Sequence, residues 1–313
     1  MKILRYILLA SLTCVLSACE KDEILPEPEP PVVTPGDDPG KDEEEKIQLG
    51  ITASLQAMQQ TRGIIEAFLP GHEMGVFISA AGAESPYVHN VPYAFDGKKW
   101  NAGGDAPVEG DAEVAAYLPY NGQTAGDRLI PFELADQHDI LYGRASVTRD
   151  IPTADIEMRH AMSLVRIKIL KNEYMGEGIV SNIRFDNVIT RMTLDIRRET
   201  NSPLIFDFSS RGSLQAGGNY HLNDADPVVV ETILPPVYGY DQKATVSFAI
   251  DGKEYSYEFH RDHEWEAGMK YTYTLKMTGN YNSPVNMEQV DIDVEYWLSL
   301  IHISEPTRHS LIS

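Results

Sequence analysis

Lys270-Tyr271-Thr272-Tyr273-Thr274-Leu275-Lys276-Met277 alternates strictly, and this octapeptide decides the fold class. Its apolar and aromatic residues fall on one side of an extended chain and its polar residues on the other, the period-two pattern of a half-buried strand. Residues 47–53 alternate too, 73–79 (EMGVFIS) and 112–120 (AEVAAYLPY) read as short apolar strands, and further strands are read at 140–142, 179–185, 192–196, 204–208, 228–234 and 290–297. Residues 160–170 (HAMSLVRIKIL) read as one strand with a face that begins apolar and ends charged. Asp96-Gly97 and Asp251-Gly252 mark two hairpins, over 93–100 and over 245–259. Long helical patterns are missing. Short strands punctuated by turn signals predict an all-β chain built of β-sandwiches.

At about 100–200 residues per domain, 313 residues suggest two domains. The polar stretch 148–159, which holds Pro152, is the expected seam. It divides the body into an N-terminal sandwich, 47–155, and a C-terminal one, 156–297. The chain carries 26 basic and 47 acidic residues, a formal net charge of −21. A phosphate backbone needs a basic face, so nucleic acid is excluded as a partner. The only cysteines, Cys14 and Cys19, precede the body, which therefore has no disulfide, thiolate nucleophile or Cys-bound zinc.

Residues 1–18 read as a signal peptide: Lys2 and Arg5 precede a short, interrupted apolar run. Leu16-Ser17-Ala18-Cys19 resembles the lipobox of bacterial lipoproteins. The resemblance implies cleavage between Ala18 and Cys19 and acylation of the Cys19 thiol, which would tie the chain to outer-membrane lipid. Each buried CH₂ contributes about 0.8 kcal/mol, so two or more chains hold firmly. Acidic residues directly after Cys19 resemble the surface-export signal of Bacteroidetes lipoproteins. Residues 19–46 are acidic and rich in proline, with Pro26, Pro28, Pro30, Pro31, Pro35 and Pro39. Such a segment reads as a disordered, extended tether.

Catalytic motifs are missing. There is no G-x-S-x-G elbow, Walker loop or dinucleotide fingerprint. His260 and His263, three apart in a strand, would point to opposite faces and not converge on a metal. His160 reads as a hydrogen-bonded histidine at a strand end. Asp96, Asp105, Glu109 and Asp111 crowd a Gly-rich region and read as a solvated acidic loop, with a calcium site as the other reading. Tyr93, Trp100, Tyr117, Tyr120, Tyr271, Tyr273, Tyr296 and Trp297 read as core and cross-strand aromatics; exposed, they could stack on sugar rings. The expectation is a non-enzyme with no cofactor and no metal.

Four landmarks follow one another along the body: Ala115-Ala116-Tyr117-Leu118-Pro119-Tyr120, His160-Ala161-Met162-Ser163-Leu164-Val165, Ile233-Leu234-Pro235-Pro236, and Glu264-Trp265-Glu266-Ala267-Gly268-Met269-Lys270-Tyr271. Placed after a lipobox, they resemble the fimbrillin-like (Mfa-like) lipoproteins of Bacteroidetes over about 47–297. The resemblance implies two transthyretin-like Greek-key β-sandwiches in tandem. It also implies a subunit, anchor or tip of a surface pilus at the outer membrane, without catalysis. Its partners would be other pilus subunits, in a homo- or hetero-polymer, and a host or bacterial surface ligand.

In that family the first strand is removed by an Arg-specific protease and replaced by a strand from another subunit. Here the displaced strand would present Ile47, Leu49, Ile51, Ala53 and Leu55. Arg62-Gly63 would be the processing site, since Arg62 is the only arginine between residues 6 and 127; an ordinary exposed arginine is the other reading. The donor strand would be 290–297, with Val290, Ile292, Val294 and Tyr296. Residues 298–313 fit no strand-and-turn logic and resemble a translated sequencing adapter, so the native C-terminus is expected to be missing. A glycan-binding surface lipoprotein of a nutrient-uptake system stays open as the alternative function.

Overall fold

Alternating residues set the chain into extended segments, and neighbouring segments pair into four sheets. The computed structural model describes residues 46–56, 67–124, 128–198, 203–236, 243–259, 264–278 and 286–296. Among these are nineteen strands, one 3-10 turn at Leu134–Asp136 and no α-helix. The N-terminal strands are β1 (Gly50–Leu55), β2 (Glu73–Ala80), β3 (Val88–Phe95), β4 (Trp100–Ala102), β5 (Ala112–Leu118), β6 (Leu129–Glu133), β7 (Leu141–Val147) and β8 (Thr153–His160). Then come β9 (Ser163–Leu170), β10 (Ile179–Ile189), β11 (Arg191–Asp195), β12 (Leu204–Phe206), β13 (Arg211–Gln215) and β14 (Tyr220–His221). The last are β15 (Val228–Leu234), β16 (Thr245–Ile250), β17 (Lys253–Glu258), β18 (Met269–Thr278) and β19 (Asn286–Tyr296).

The first sheet has the order β1-β8-β7-β5-β2-β3-β4. The others are β13-β10-β16-β17 with β14 also on β10, then β12-β11-β6, then β15-β9-β18-β19. The all-β expectation holds. The seam does not fall where the polar residues suggested: 148–159 is mostly β8, and the boundary at 155/156 lies inside that strand. Ala154, Ile156 and Met158 are buried while Thr153, Asp155, Glu157 and Arg159 are exposed, so half of a genuine strand mimics a linker. The single strand expected over 160–170 is two. β8 ends at His160, the Ala161 amide donates to the Ile140 carbonyl at 2.8 Å, and β9 begins at Ser163.

Residues from Lys46 onward hold together as one compact unit with two hydrophobic cores. β2 and β5 are shared between them. Met74, Val76, Ile78, Val114, Ala116 and Leu118 enter the first core, whereas Phe77, Ala115 and Tyr117 enter the second. Burial on both faces is why these two strands read as unbroken apolar runs. β6 departs from the N-terminal sheet to pair antiparallel with β11, from Glu133 opposite Arg191 to Leu129 opposite Asp195. Phe132 thereby packs edge-on against Tyr117 with ring centroids 6.5 Å apart. In the second core, Phe259 packs against Trp265 and Tyr273, and the Trp265 indole N–H donates to the Tyr273 hydroxyl at 2.9 Å.

Candidate functional site

The first strand is an edge strand with a buried face. β1 runs parallel to β8, in a register from Gly50 opposite Thr153 to Leu55 opposite Met158. It is held at both ends. The Gly50 amide donates to Pro152 O at 2.9 Å and the Gln56 amide to Met158 O at 3.0 Å. On the other side, the Leu49 amide donates to Ala106 O and the Val108 amide to Ile47 O, both at 2.9 Å. Leu49 and Ile51 are buried in the first core, and Ala53 and Leu55 pack against it half-buried. Full burial of a side chain of this size contributes about 1.5–3 kcal/mol, so Leu49 and Ile51 together contribute about 3–6 kcal/mol gross. The Tyr93 hydroxyl donates to Leu49 O at 3.1 Å. Burial pushes that phenol up to about 12, so it is protonated at neutral pH.

At the other end of the chain, β19 is also an edge strand, antiparallel to β18 from Met269 opposite Tyr296 to Thr278 opposite Asn286. The register shifts between Thr274, opposite Asp291, and Leu275, opposite Gln289, leaving Val290 as the bulged residue. Val294 is exposed. The proposed cleavage residues Ala18, Cys19, Arg62 and Gly63 lie outside the described residues, as do His260, His263 and Trp297.

Other expected residues occupy definite places. His160 Nδ1 lies 2.7 Å from Asp139 Oδ1, both side chains almost wholly buried, as a hydrogen-bonded strand-end histidine should be. Asp96 is a turn residue: its Oδ1 accepts from the Lys98 and Lys99 amides at 2.8 and 2.9 Å, and its Oδ2 from Asn101 Nδ2 at 2.9 Å. Those bonds, chiefly that from Lys99, lower its pKa to about 2. Asp105, Glu109 and Asp111 are exposed. Among the described residues no three His, Cys, Asp or Glu side chains are placed to hold a metal ion. Tyr93, Trp100, Tyr117, Tyr271 and Tyr273 are buried core, and Tyr120 is half-buried.

A cleft of about 790 Å³ lies beside the second core, between the turn after β5, β6 with its 3-10 turn, and β11. Pro119, Tyr120, Pro131 and Phe132 line it together with Glu133, Asp136, His138, Arg191 and Asp207. In the sequence Tyr120 stands among the strand aromatics and closes the Ala115–Tyr120 landmark, and no strand is expected over 129–133. No local pattern marks the cleft, because its residues come from four separate stretches of chain.

The model of the fimbrillin-like family matches residues 61–297. The chain belongs to the fimbrillin-like family. The match begins beyond the end of β1 and beside Arg62. Solved structures of low sequence identity share the fold. A candidate cell adhesion protein from Bacteroides ovatus is 15% identical, covers 82% of this chain and 99% of its own, and superposes with a TM-score of 0.59. One from Bacteroides uniformis is 14% identical, covers 80% of this chain and 99% of its own, and gives 0.57. No curated protein matches the chain. Membership of the fimbrillin-like family supports a pilus-type role at the cell surface.

Proposed function

We propose that this protein is a lipid-anchored, non-enzymatic structural subunit of a bacterial surface pilus, assembled by exchange of its first strand. In this reading Cys19 carries the lipid and 19–46 spaces the body from the outer membrane. The body consists of two sandwiches in tandem, one around each core. Cleavage after Arg62 severs the link between β1 and the rest of the body. A strand from another subunit then takes the place of β1 on β8, an instance of β-augmentation. The donor would come from the C-terminal strand around Val290, Ile292, Val294 and Tyr296.

One observation carries the reading: an edge strand, joined to β8 only through backbone and side-chain contacts about a hundred residues apart in sequence, buries an alternating apolar face. Its departure would expose a row of unpaired backbone groups beside an apolar groove. Treatment of the purified mature chain with an Arg-specific protease should give a new N-terminus at Gly63 and heat-stable ladders on a gel. A cysteine pair replacing Thr52 and Asp155, whose side chains meet at 3.0 Å, should suppress the ladders when oxidised and restore them on reduction. Ladders that form equally well with the lock closed would remove strand exchange at β1 from the account. Lipidation is checked separately: labelled palmitate should enter the wild type and not Cys19→Ser.

A further inference from the structure

The cleft beside the second core is a built site rather than a surface dent. Its floor turn is pinned from several sides. The Tyr117 hydroxyl donates to Asn90 Oδ1 at 2.9 Å and accepts from the Asn121 amide at 3.0 Å. Asn90 Nδ2 donates to the carbonyls of Asn121 and Thr124 at 2.9 and 3.1 Å. The Tyr120 amide is held by Glu73 O at 2.9 Å. Gly122 lets the Tyr120 ring lie against the turn: a Cβ there would sit 3.3 Å from Tyr120 Cε1. An aromatic ring on a rigid turn presents its surface at little further entropic cost.

Across the cleft stand groups of complementary kinds. Glu133 and Asp136 offer exposed carboxylates, which only accept. Arg191, which only donates, is oriented by an ion pair of 2.9 Å with Asp207. Asp207 is itself fixed, its Oδ1 accepting from the Ser209 amide at 3.0 Å. The volume lies within the usual range of small-molecule sites, about 300–1,000 Å³.

We infer that this cleft binds a short, neutral oligosaccharide, with Tyr120 stacking on a sugar ring and Glu133, Asp136 and Arg191 contacting its hydroxyls. The charge pattern selects this class. Arg191 and Asp207 offset each other, so Glu133 and Asp136 leave the rim negative. Sialic acid, phosphate and acidic peptides are repelled, and the whole chain, at −21, adds to that repulsion. A cationic peptide would meet carboxylates that water already solvates, which are worth little as surface ion pairs, and an opposing Arg191. A hydroxyl both donates and accepts, and so uses both kinds of group at once. The inference does not depend on strand exchange, because the cleft is formed by elements other than β1.

Saturation-transfer NMR on the full mature chain tests it, with maltotriose, cellotriose, mannotriose and lacto-N-tetraose as probes and 3′-sialyllactose and tetralysine as comparators. At least one neutral oligosaccharide should bind. Its affinity should fall at least tenfold in Tyr120→Ala and severalfold in Glu133→Gln, whose surface position leaves folding intact. Tyr220→Ala, which removes an exposed ring outside the cleft, should bind like the wild type. No transfer to any neutral probe overturns the inference, as does transfer unchanged in both cleft variants. Binding of 3′-sialyllactose or tetralysine alone overturns it too. The protease ladder of Tyr120→Ala should match that of the wild type, so a failed sugar site and a failed pilus reading are told apart.

Discussion

β5 and β1 belong to one sheet, yet they are held in opposite ways. β5 has a strand on each side, β2 and β7, and buries both faces, one in each core. β1 has one strand neighbour, buries one face, and is reached only from residues far away in sequence. A parallel pair lacks the short turn that ties an antiparallel hairpin together. The contrast predicts that losing β5 would disrupt both cores, whereas losing β1 would uncover one face of the first. Stability in such a body is expected to be local rather than uniform.

The largest effect should come from the centre. Tyr117 is wholly buried, touches Phe77 and Phe132, and anchors Asn90 and Asn121. Tyr117→Ala removes an aromatic ring from a packed interior and should cost about 3–5 kcal/mol, read as a lower urea midpoint. Amide exchange should quicken throughout both cores. At the edge, Leu49→Ala should cost about 2–3 kcal/mol, with a different signature. Exchange in β1 and β8 should rise some tens of times while β5 amides stay protected. Equal acceleration in β5 would mean that β1 opens only with the whole molecule, and exchange of that strand alone would lose its physical basis.

How much of this was legible varies by element. The hairpin of β16 and β17 was legible to within one residue at its far end, because Asp251 and Gly252 both take positive φ, 49° and 79°, as an Asp-Gly turn of the type I′ kind requires. The inward residues of β1 were legible from alternation alone. β8 was hidden by its own solvent face. β6 was hidden by Pro131, tolerated because this strand lies at the edge of its sheet and pairs only with β11. The pairing of β1 with β8 was not legible, since no local residue encodes a partner a hundred positions away. The cleft was not legible for the same reason, its walls coming from four stretches of chain that meet only in the folded molecule.

A finer test asks what fastens β1. The Tyr93 hydroxyl on β3 reaches across to Leu49 O, the one side-chain bond to that backbone group in the described residues. Tyr93→Phe keeps the ring and deletes the bond, at about 1 kcal/mol. If the fastening is local, β1 amides should exchange about fivefold faster and the urea midpoint should move little. A loss of stability spread evenly over the body would assign Tyr93 to the core at large.

The smallest effect belongs to the turn between β3 and β4, at the opposite edge of the sheet from β1. Asp96 is fully exposed, so its low pKa comes from hydrogen bonds to its carboxylate rather than from burial. Its folded value, about 2, lies below the ordinary 3.8. The carboxylate form therefore stabilises the turn at and above about pH 4, and that contribution fades as pH falls through the folded value of about 2. Carbon-detected NMR should show the Asp96 carboxyl titrating near 2, with the Lys98 and Lys99 amides moving at the same midpoint. In Asp96→Ala those amides should lose their acid-linked shifts, while β1 and β8 amides stay unchanged. An Asp96 midpoint near 4 would mean that the turn is not held by its carboxylate, and that this edge closes through the strand pairing of β3 and β4 alone.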